Sequence, residues 1–330
     1  MIILSKRDVE RSLQMDETIE AMKDAFASFS SGKATVPLRS KLDIDPYNGL
    51  CLFMPAFIQD DNGSIMSLKV VSIYPDNKIR SFPTITASVL LLEASTGRPL
   101  AIVEGSHLTA IRTGAAAGAA TDILSRKDCH TLAIFGAGVQ ARTQLIAIST
   151  VRDIETVWIF DPNHDSAHSF IQEMKTKQGV PYDIRLASNP KQAIENADII
   201  CTATTSPTPV FNDEDVKPGT HINGIGSFTP DTWEIPGKTV ERSLLVVDSK
   251  EAALNEAGDI VHLISEKRIT EKHIHAELGD IILGEKTGRT NNKQITFFKS
   301  VGIAVQDAFA ARLATKNALE YEYCQRVTWE

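Results

Sequence analysis

The feature that most constrains this chain is a glycine-rich turn, residues 136–141 with the sequence GAGVQA. It follows an apolar segment at 132–135, predicted as a buried strand, and opens a helix that we expect to end near residue 150. In dinucleotide-binding units the first glycine permits a tight turn, the second lets a pyrophosphate approach the backbone, and the small last residue lets helix and strand pack closely. The first N–H groups of the helix then face the phosphates.

An acidic residue supports this interpretation. Asp161 stands twenty positions after Ala141, at the end of the next predicted strand, 156–160. A carboxylate there accepts hydrogen bonds from the adenosine ribose and repels a 2′-phosphate. The pattern therefore favours NAD(H), with NADP(H) left open. The structural alternative is a glycine turn without a ligand and an Asp161 that caps a helix.

The pattern along the chain predicts two kinds of sheet. From residue 131 onward, strands alternate with helices, which is typical of a parallel sheet. Before residue 105, β-type segments are separated by turn clusters such as 60–63, which indicates an antiparallel sheet. The helix predicted at 109–124 is so rich in Gly and Ala that we expect another backbone to approach it closely. The expected strands are 49–57, 65–73, 84–93 and 99–104, then 132–135, 156–160, 183–187, 199–203, 221–225 and 244–248.

These segments predict an α/β fold class, a Rossmann doubly wound parallel sheet with an α+β N-terminal domain. We place the N-terminal domain at 1–122 and the NAD(P)-binding domain at 123–302. Helices are expected within the first 35 residues and at 300–319, and the latter would return to complete the first domain with residues 303–330.

The composition of the 330-residue chain narrows its partners. The formal net charge is −8, and no Lys/Arg run forms the basic face that nucleic-acid binding needs. No segment has the apolar length of a membrane helix, and charges interrupt the N-terminal apolar run too early for a signal peptide. Four cysteines without a CxxC pair fit a reducing compartment. We therefore expect a cytoplasmic protein whose partners are small molecules.

Seven short motifs are spread over nearly the whole chain: VPLR at 36–39, MSLK at 66–69, FPT at 82–84, LTAIRTGAA at 108–116, the glycine turn, AELGD at 276–280 and FKSVG at 298–302. In this order they resemble the ornithine cyclodeaminase/mu-crystallin family, and most closely its ketimine (pyrroline-2-carboxylate) reductase-like members. The resemblance implies that the domain at 1–122 binds the substrate and associates through its sheet into a homodimer. It also implies reactions at the α-carbon of small amino or imino acids.

The resemblance also implies roles for single residues. Arg39 and Arg112 would hold the substrate carboxylate, Lys69 would lie beside the reacting carbon, and Val301 would line the substrate site. Guanidinium groups bind carboxylates through two parallel hydrogen bonds, and a lysine within an apolar strand is unusual unless it has a function. The expected cofactor contacts are Thr84, Arg112, Thr113, Gly136, Ala137, Gly138, Val139, Gln140, Asp161, Thr202 and Ser300.

One position departs from the family pattern. Ornithine cyclodeaminases and related alanine dehydrogenases carry an acid/base aspartate where this chain has Phe228, which cannot move a proton. Glu256 resembles an acidic residue of the ketimine reductases and is a candidate catalytic acid, although it is equally readable as a solvated helix-end carboxylate. Asp231 is a weaker substitute for the missing aspartate.

Reduction of a preformed cyclic imine needs only a carboxylate clamp, one hydride and one proton. The first hypothesis is therefore NAD(P)H-dependent reduction of Δ1-pyrroline-2-carboxylate to L-proline and of Δ1-piperideine-2-carboxylate to L-pipecolate. The alternatives are an ornithine cyclodeaminase or alanine dehydrogenase with a relocated acid, and a mu-crystallin-like protein that binds without catalysis. Retention of Lys69 disfavours pure binding.

The segment 273–277, His-Ile-His-Ala-Glu, raises the question of a metal site. With no further ligand nearby in the sequence, we interpret it as a solvated or dimer-facing segment and expect no metal.

Overall fold

The computed structural model describes residues 1–61 and 63–328. The chain divides into two compact units, one of Met1–Arg112 with Ile303–Glu330 and one of Thr113–Gly302. The sequence placed the first boundary after residue 122, which is later in the same helix. The predicted turn cluster at 60–63 includes Asn62, which lies outside the described residues.

The strands of the second unit have four or five residues each, and the three longest strands of the first unit have nine to twelve. The strands are β1 (Ile2–Leu4), β2 (Ala34–Thr35), β3 (Ser40–Ile44), β4 (Gly49–Asp60), β5 (Gly63–Ile73), β6 (Ile85–Glu93), β7 (Pro99–Glu104), β8 (Thr131–Phe135), β9 (Thr156–Phe160), β10 (Asp183–Leu186), β11 (Ile199–Thr202), β12 (His221–Gly224), β13 (Leu244–Val247), β14 (Ile274–Glu277), β15 (Thr296–Lys299) and β16 (Gln325–Arg326).

One boundary between the units lies within a long helix, and the other lies just before the last long helix. The helices are α1 (Lys6–Ser12), α2 (Met15–Ser30), α3 (Gly105–Leu124), α4 (Val139–Val151), α5 (His164–Met174), α6 (Pro190–Ile194), α7 (Gly237–Glu241), α8 (Lys250–Glu256), α9 (Gly258–Ser265), α10 (Leu278–Ile282) and α11 (Ala304–Glu320). Within the described residues, no helix combines the length and apolar character needed to cross a membrane.

In the first unit, the predicted antiparallel meander β4–β5–β6–β7 is confirmed. The sequence missed β1, which extends the sheet by pairing parallel with β7, and β3, which pairs with β4. Helix α11 packs against α2 and against β4, β5 and β6. Alternation places Ala56 and Ile58 in the core while Phe57 between them is exposed, as expected for a sheet with one covered face.

In the second unit, eight parallel strands lie in the order β10-β9-β8-β11-β12-β15-β13-β14. The first five strands of this order follow the 3-2-1-4-5 arrangement of doubly wound dinucleotide-binding sheets, so the predicted fold class is confirmed. The sequence missed β14 and β15. Helix α3 approaches α4 closely, because a Cβ on Gly114 would lie 2.6 Å from the carbonyl oxygen of Thr143. The small residues of α3 therefore serve packing, as predicted.

Two predicted helix starts were wrong. Helix α3 begins at Gly105 rather than 109, and α11 begins at Ala304 rather than 300. Residues 300–302 are instead a connection in which Gly302 has a φ of +78°. Helical periodicity continues through this connection, but its N–H groups bind a carboxylate, which keeps the backbone out of the helix.

Candidate functional site

The glycine turn has the geometry that a dinucleotide requires. Gly136 has a φ of +91°, and a Cβ there would lie 2.6 Å from the carbonyl oxygen of Ala203, so only glycine fits. Gly138 is the N-cap of α4 without a side-chain cap, and a Cβ on it would meet nothing within 4 Å. The first N–H groups of α4 therefore face open space, which fits a pyrophosphate. Val139 is exposed on the first turn, and Ala141 is buried.

Asp161 lies directly beside this turn. Its Oδ2 accepts a hydrogen bond from the N–H of Ala137 at 2.8 Å, and its Oδ1 accepts one from Asn163 N at 2.8 Å. Asn163, rather than Asp161, is the N-cap of α5. Each carboxylate oxygen accepts more than one hydrogen bond, so Asp161 keeps capacity for ribose hydroxyls while its position is held by the backbone.

Strand register brings several of the candidate cofactor residues to one edge. Thr202 on β11 is the register partner of Phe135 on β8 and of Gly224 on β12, and Gly224 in turn is the partner of Lys299. Residues that follow these positions, Gly136 and Ser300 among them, therefore line the carboxyl edge of the parallel sheet. Ligands of doubly wound sheets bind at this edge.

A buried aspartate that the sequence analysis missed holds Ser300 in place. Asp248, directly after β13, accepts hydrogen bonds through Oδ2 from Ser300 Oγ at 2.8 Å, Val301 N at 3.0 Å and Gly302 N at 2.7 Å. Burial raises the pKa of the Asp248 carboxyl, and these hydrogen bonds oppose that effect. A buried carboxylate that accepts several N–H groups was not predictable without knowing that β13 and β15 are neighbours.

The remaining candidates of this unit lie as follows. Thr113 is buried on α3, where its carbonyl oxygen accepts a hydrogen bond from Gln144 Nε2. Gln140 lies in the first turn of α4. Glu256 is the last residue of α8 and is half-buried, so it is not the fully solvated carboxylate of the alternative interpretation.

In the first unit, Lys69 and Arg112 share one buried carboxylate. Lys69 Nζ and Arg112 Nε each lie 2.9 Å from Asp307 Oδ1. All three residues are at most 5% exposed. Arg112 also donates through Nη1 to the side-chain oxygen of Gln306. The three residues lie on β5, α3 and α11, and Lys69 and Asp307 are 238 positions apart in the sequence.

The electrostatics of this cluster favour proton transfer. The pKa of Lys69 is lowered from 10.5 to about 8, mainly by burial; Arg112 and Arg39 act in the same direction, and Asp307 opposes them. Burial alone would raise the pKa of Asp307, but Arg112 and Lys69 outweigh it and hold that pKa below its usual value. The cluster therefore combines a carboxylate that stays ionised with a lysine that releases a proton near neutral pH.

Arg39 and Thr84 complete the candidates of the first unit. Arg39 directly precedes β3, is half-buried, and lies near enough to Lys69 to affect its pKa. Thr84 directly precedes β6, and its carbonyl oxygen accepts a hydrogen bond from Tyr74 N at 2.8 Å. The sequence analysis missed Asp307 and Gln306. Their position about two turns into the helix predicted at 300–319, close to the motif at 298–302, was an available signal.

The position of the missing acid is solvent-exposed. Phe228 is 41% exposed, in the loop that follows β12. Asp231 is exposed in the same loop. A phenyl ring at this site neither donates nor accepts a proton, so the loop supplies no acid at position 228.

The segment 273–277 is part of the parallel sheet, which corrects its interpretation as a solvated segment. Its last four residues form β14, with Ile274 and Ala276 buried. His273 Nε2 and His275 Nε2 hydrogen-bond the backbone carbonyl oxygens of Val240 and Thr287. The two rings therefore serve packing.

Comparison with known proteins identifies the family of this chain. The model of the ornithine cyclodeaminase/mu-crystallin family matches residues 1–322. The chain belongs to this family. A Delta(1)-pyrroline-2-carboxylate reductase of Bacillus cereus is 40% identical over 321 residues, 97% of each chain.

Two solved structures are also similar. The Thermococcus litoralis Delta(1)-pyrroline-2-carboxylate reductase in complex with NADH and L-proline is 45% identical, with a TM-score of 0.93 over 99% of this chain and 100% of that one. An archaeal alanine dehydrogenase dimer with bound NAD is 32% identical, with a TM-score of 0.92 over 100% of this chain and 99% of that one.

Proposed function

We propose that this protein reduces Δ1-pyrroline-2-carboxylate to L-proline, and Δ1-piperideine-2-carboxylate to L-pipecolate, with NADH. The observation that carries the proposal is the buried trio of Lys69, Arg112 and Asp307. With Lys69 protonated, two cations and one anion leave a net charge of +1 in a buried place. A small imino acid with one carboxylate neutralises that charge.

The side chains have distinct roles in this reaction. Arg39 and Arg112 would bind the substrate carboxylate. Arg112 uses Nε and Nη1 within the protein, which leaves Nη2 for the ligand. A nicotinamide dinucleotide, when bound, would supply the hydride to C2 of the imine. As the C=N electron pair moves to nitrogen, the Lys69 ammonium gives that nitrogen a proton. Asp307 keeps Lys69 charged until then and orients its Nζ.

The preference for NADH rests on Asp161. Its carboxylate is held beside the glycine turn by two backbone N–H groups, where it would face the adenosine ribose and repel a 2′-phosphate. NADPH is the weaker cofactor under this proposal.

We also propose a homodimer that associates through the sheet of the first unit. Phe57 and Met66 are cross-strand partners on its outer face, and they are 37% and 39% exposed. Leu42 on the neighbouring strand β3 points to the same face and is 53% exposed. Apolar side chains grouped on one sheet face are typical of an interaction surface.

The four cysteines are free thiols, consistent with the proposed cytoplasmic location.

The direct test is NADH oxidation by the purified protein with each cyclic imine, in parallel with pyruvate plus ammonia. Ornithine is tested separately, by ammonia release in the presence of NAD⁺. We expect the imines to give the highest kcat/KM, and sedimentation to report a dimer. Ammonia release from ornithine at comparable efficiency would contradict the proposal, and so would reductive amination of pyruvate as the preferred reaction. Binding of NADH without turnover of any imine would indicate a non-catalytic protein.

A further inference from the structure

A second buried ionic cluster lies in the Thr113–Gly302 unit. Glu234, Asp259 and Lys299 are each at most 1% exposed. Lys299 Nζ lies 2.9 Å from Asp259 Oδ2. Asp259 Oδ1 also accepts the N–H groups of Glu234 at 2.6 Å and Ile235 at 2.9 Å. Because Lys299 and Asp259 neutralise each other, the carboxylate of Glu234 gives the cluster a net charge of −1.

The hydrogen-bond partners of Glu234 favour its ionised form. Its Oε1 accepts hydrogen bonds from the N–H and the hydroxyl of Thr204 at 2.7 and 2.8 Å. Its Oε2 accepts from Thr202 Oγ1 at 2.9 Å, Gly226 N at 2.7 Å and Ser227 N at 3.1 Å. Burial, together with Asp259, raises the pKa of Glu234, and Lys299 and the Thr204 donors offset part of that rise. Backbone N–H groups on both oxygens favour the carboxylate over the acid.

These hydrogen bonds join the two loops that follow β11 and β12 at the carboxyl edge of the sheet. The fit is tight, since a Cβ on Gly226 would overlap with Thr204 and lie 2.5 Å from Glu234 Oε1. The β11 loop also meets the glycine turn, where Gly136 packs on the carbonyl oxygen of Ala203. Dinucleotides bind along this edge, so the buried negative charge lies under the loops that a bound cofactor would contact.

We propose that Glu234 is a positioning residue that joins the two strand-end loops and, through its buried charge, favours the oxidised over the reduced form of the cofactor. The inference deepens the proposed function and rests on its dinucleotide site. Loss of a hydride leaves the nicotinamide ring with one more positive charge, and a fixed anion in a dry environment stabilises that charge. The same preference assists hydride donation in the reductive direction.

The test measures cofactor binding without any imine. The Kd of NADH comes from its fluorescence on binding, and the Kd of NAD⁺ from competition against NADH, for the wild type, Glu234→Gln and Glu234→Asp. In Glu234→Gln both affinities fall, but we expect the ratio Kd(NAD⁺)/Kd(NADH) to rise on the order of tenfold, because a buried negative charge that favours the oxidised form is lost. Glu234→Asp keeps the charge, so both Kd values rise while their ratio stays near that of the wild type.

Two further variants separate charge from structure. Asp198→Asn removes a carboxylate that also accepts backbone N–H groups, from His130 and Thr131. Asp198 lies directly before β11, at the opposite edge of the sheet, so the ratio Kd(NAD⁺)/Kd(NADH) of this variant should match that of the wild type. Asp259→Asn removes one charge from the cluster itself and leaves an oxygen for Glu234 N, so its ratio should rise as in Glu234→Gln, which keeps the test valid if the latter does not fold.

The outcomes distinguish this inference from the proposed function. Equal loss of affinity for both cofactor forms in Glu234→Gln and Asp259→Asn, with an unchanged ratio, would overturn the charge role. A wild-type protein that binds NADH and reduces the imine, together with that unchanged ratio, would leave the proposed function standing. Failure of the wild type to bind either form would instead overturn the proposed function itself.

Discussion

Replacement of Asp307 by Asn should move the pH dependence of the reaction. Lys69 Nζ lies 2.9 Å from Asp307 Oδ1, and the pKa of Lys69 is about 8. Asp307 raises that pKa against the effect of burial, so its neutralisation must lower it. At an effective dielectric constant of about 20, two charges at 4 Å interact by about 4 kcal/mol, and about 1.36 kcal/mol corresponds to one pKa unit. Because the Asn oxygen still accepts one hydrogen bond, we expect a shift of about 1 to 3 units.

The assay is kcat/KM for NADH oxidation with Δ1-pyrroline-2-carboxylate as a function of pH. Lys69 acts in its protonated form, so the wild-type rate should fall as pH rises through about 8. In Asp307→Asn the fall should come about 1 to 3 units earlier. The ratio of variant to wild type at each pH removes ionisation of the free imine, which affects both proteins equally.

The matched control is Asp60→Asn. Asp60 binds both terminal nitrogens of Arg312, which lies on α11 like Asp307. The charges that shift the pKa of Lys69 are instead those of Asp307, Arg112 and Arg39. We expect this variant to lose stability and keep the wild-type pH profile. An Asp307→Asn profile that is uniformly lower, or shifted to higher pH, would refute the assignment of Lys69 as the proton donor.

Four further predictions follow from other contacts. Lys69→Met should remove a pH dependence of stability. The pKa of Lys69 is lowered from 10.5 to about 8, so the folded protein binds fewer protons than the unfolded chain between those pH values. The free energy of unfolding of the wild type, measured with denaturant and compared with the variant, should therefore rise with pH by about 3 kcal/mol across that window. Asp161→Ser should raise the kcat/KM for NADPH relative to NADH by about tenfold, and an unchanged ratio would argue against Asp161 as the discriminating charge. Asp248→Asn weakens the acceptor of Ser300 Oγ and two N–H groups, so it should lower stability by about 2 kcal/mol and raise the KM for the imine, as thermal unfolding and initial rates would report. Phe228→Asp should introduce measurable ammonia release from ornithine with NAD⁺, whereas its complete absence would show that this position alone does not separate the two reactions.

The sequence by itself determined the fold class and the residue types of the chemistry. Local pattern sufficed for the glycine turn, for the antiparallel meander and for most strands of the parallel sheet, because periodicity and turn residues act over a few positions. The order of the sheet and the strands β14 and β15 were not predictable, since they depend on which distant segments become neighbours.

Only the tertiary structure decided which charges meet. Lys69, Arg112 and Asp307 come from three distant elements, and Glu234 and Asp248 are ordinary acidic residues in the sequence until the strand order places N–H groups around them. A buried charge is stable only with such partners, and those partners are supplied by contacts between distant segments. The sequence therefore indicated which residues have a chemical role, and the fold determined the pKa and the partners with which they perform it.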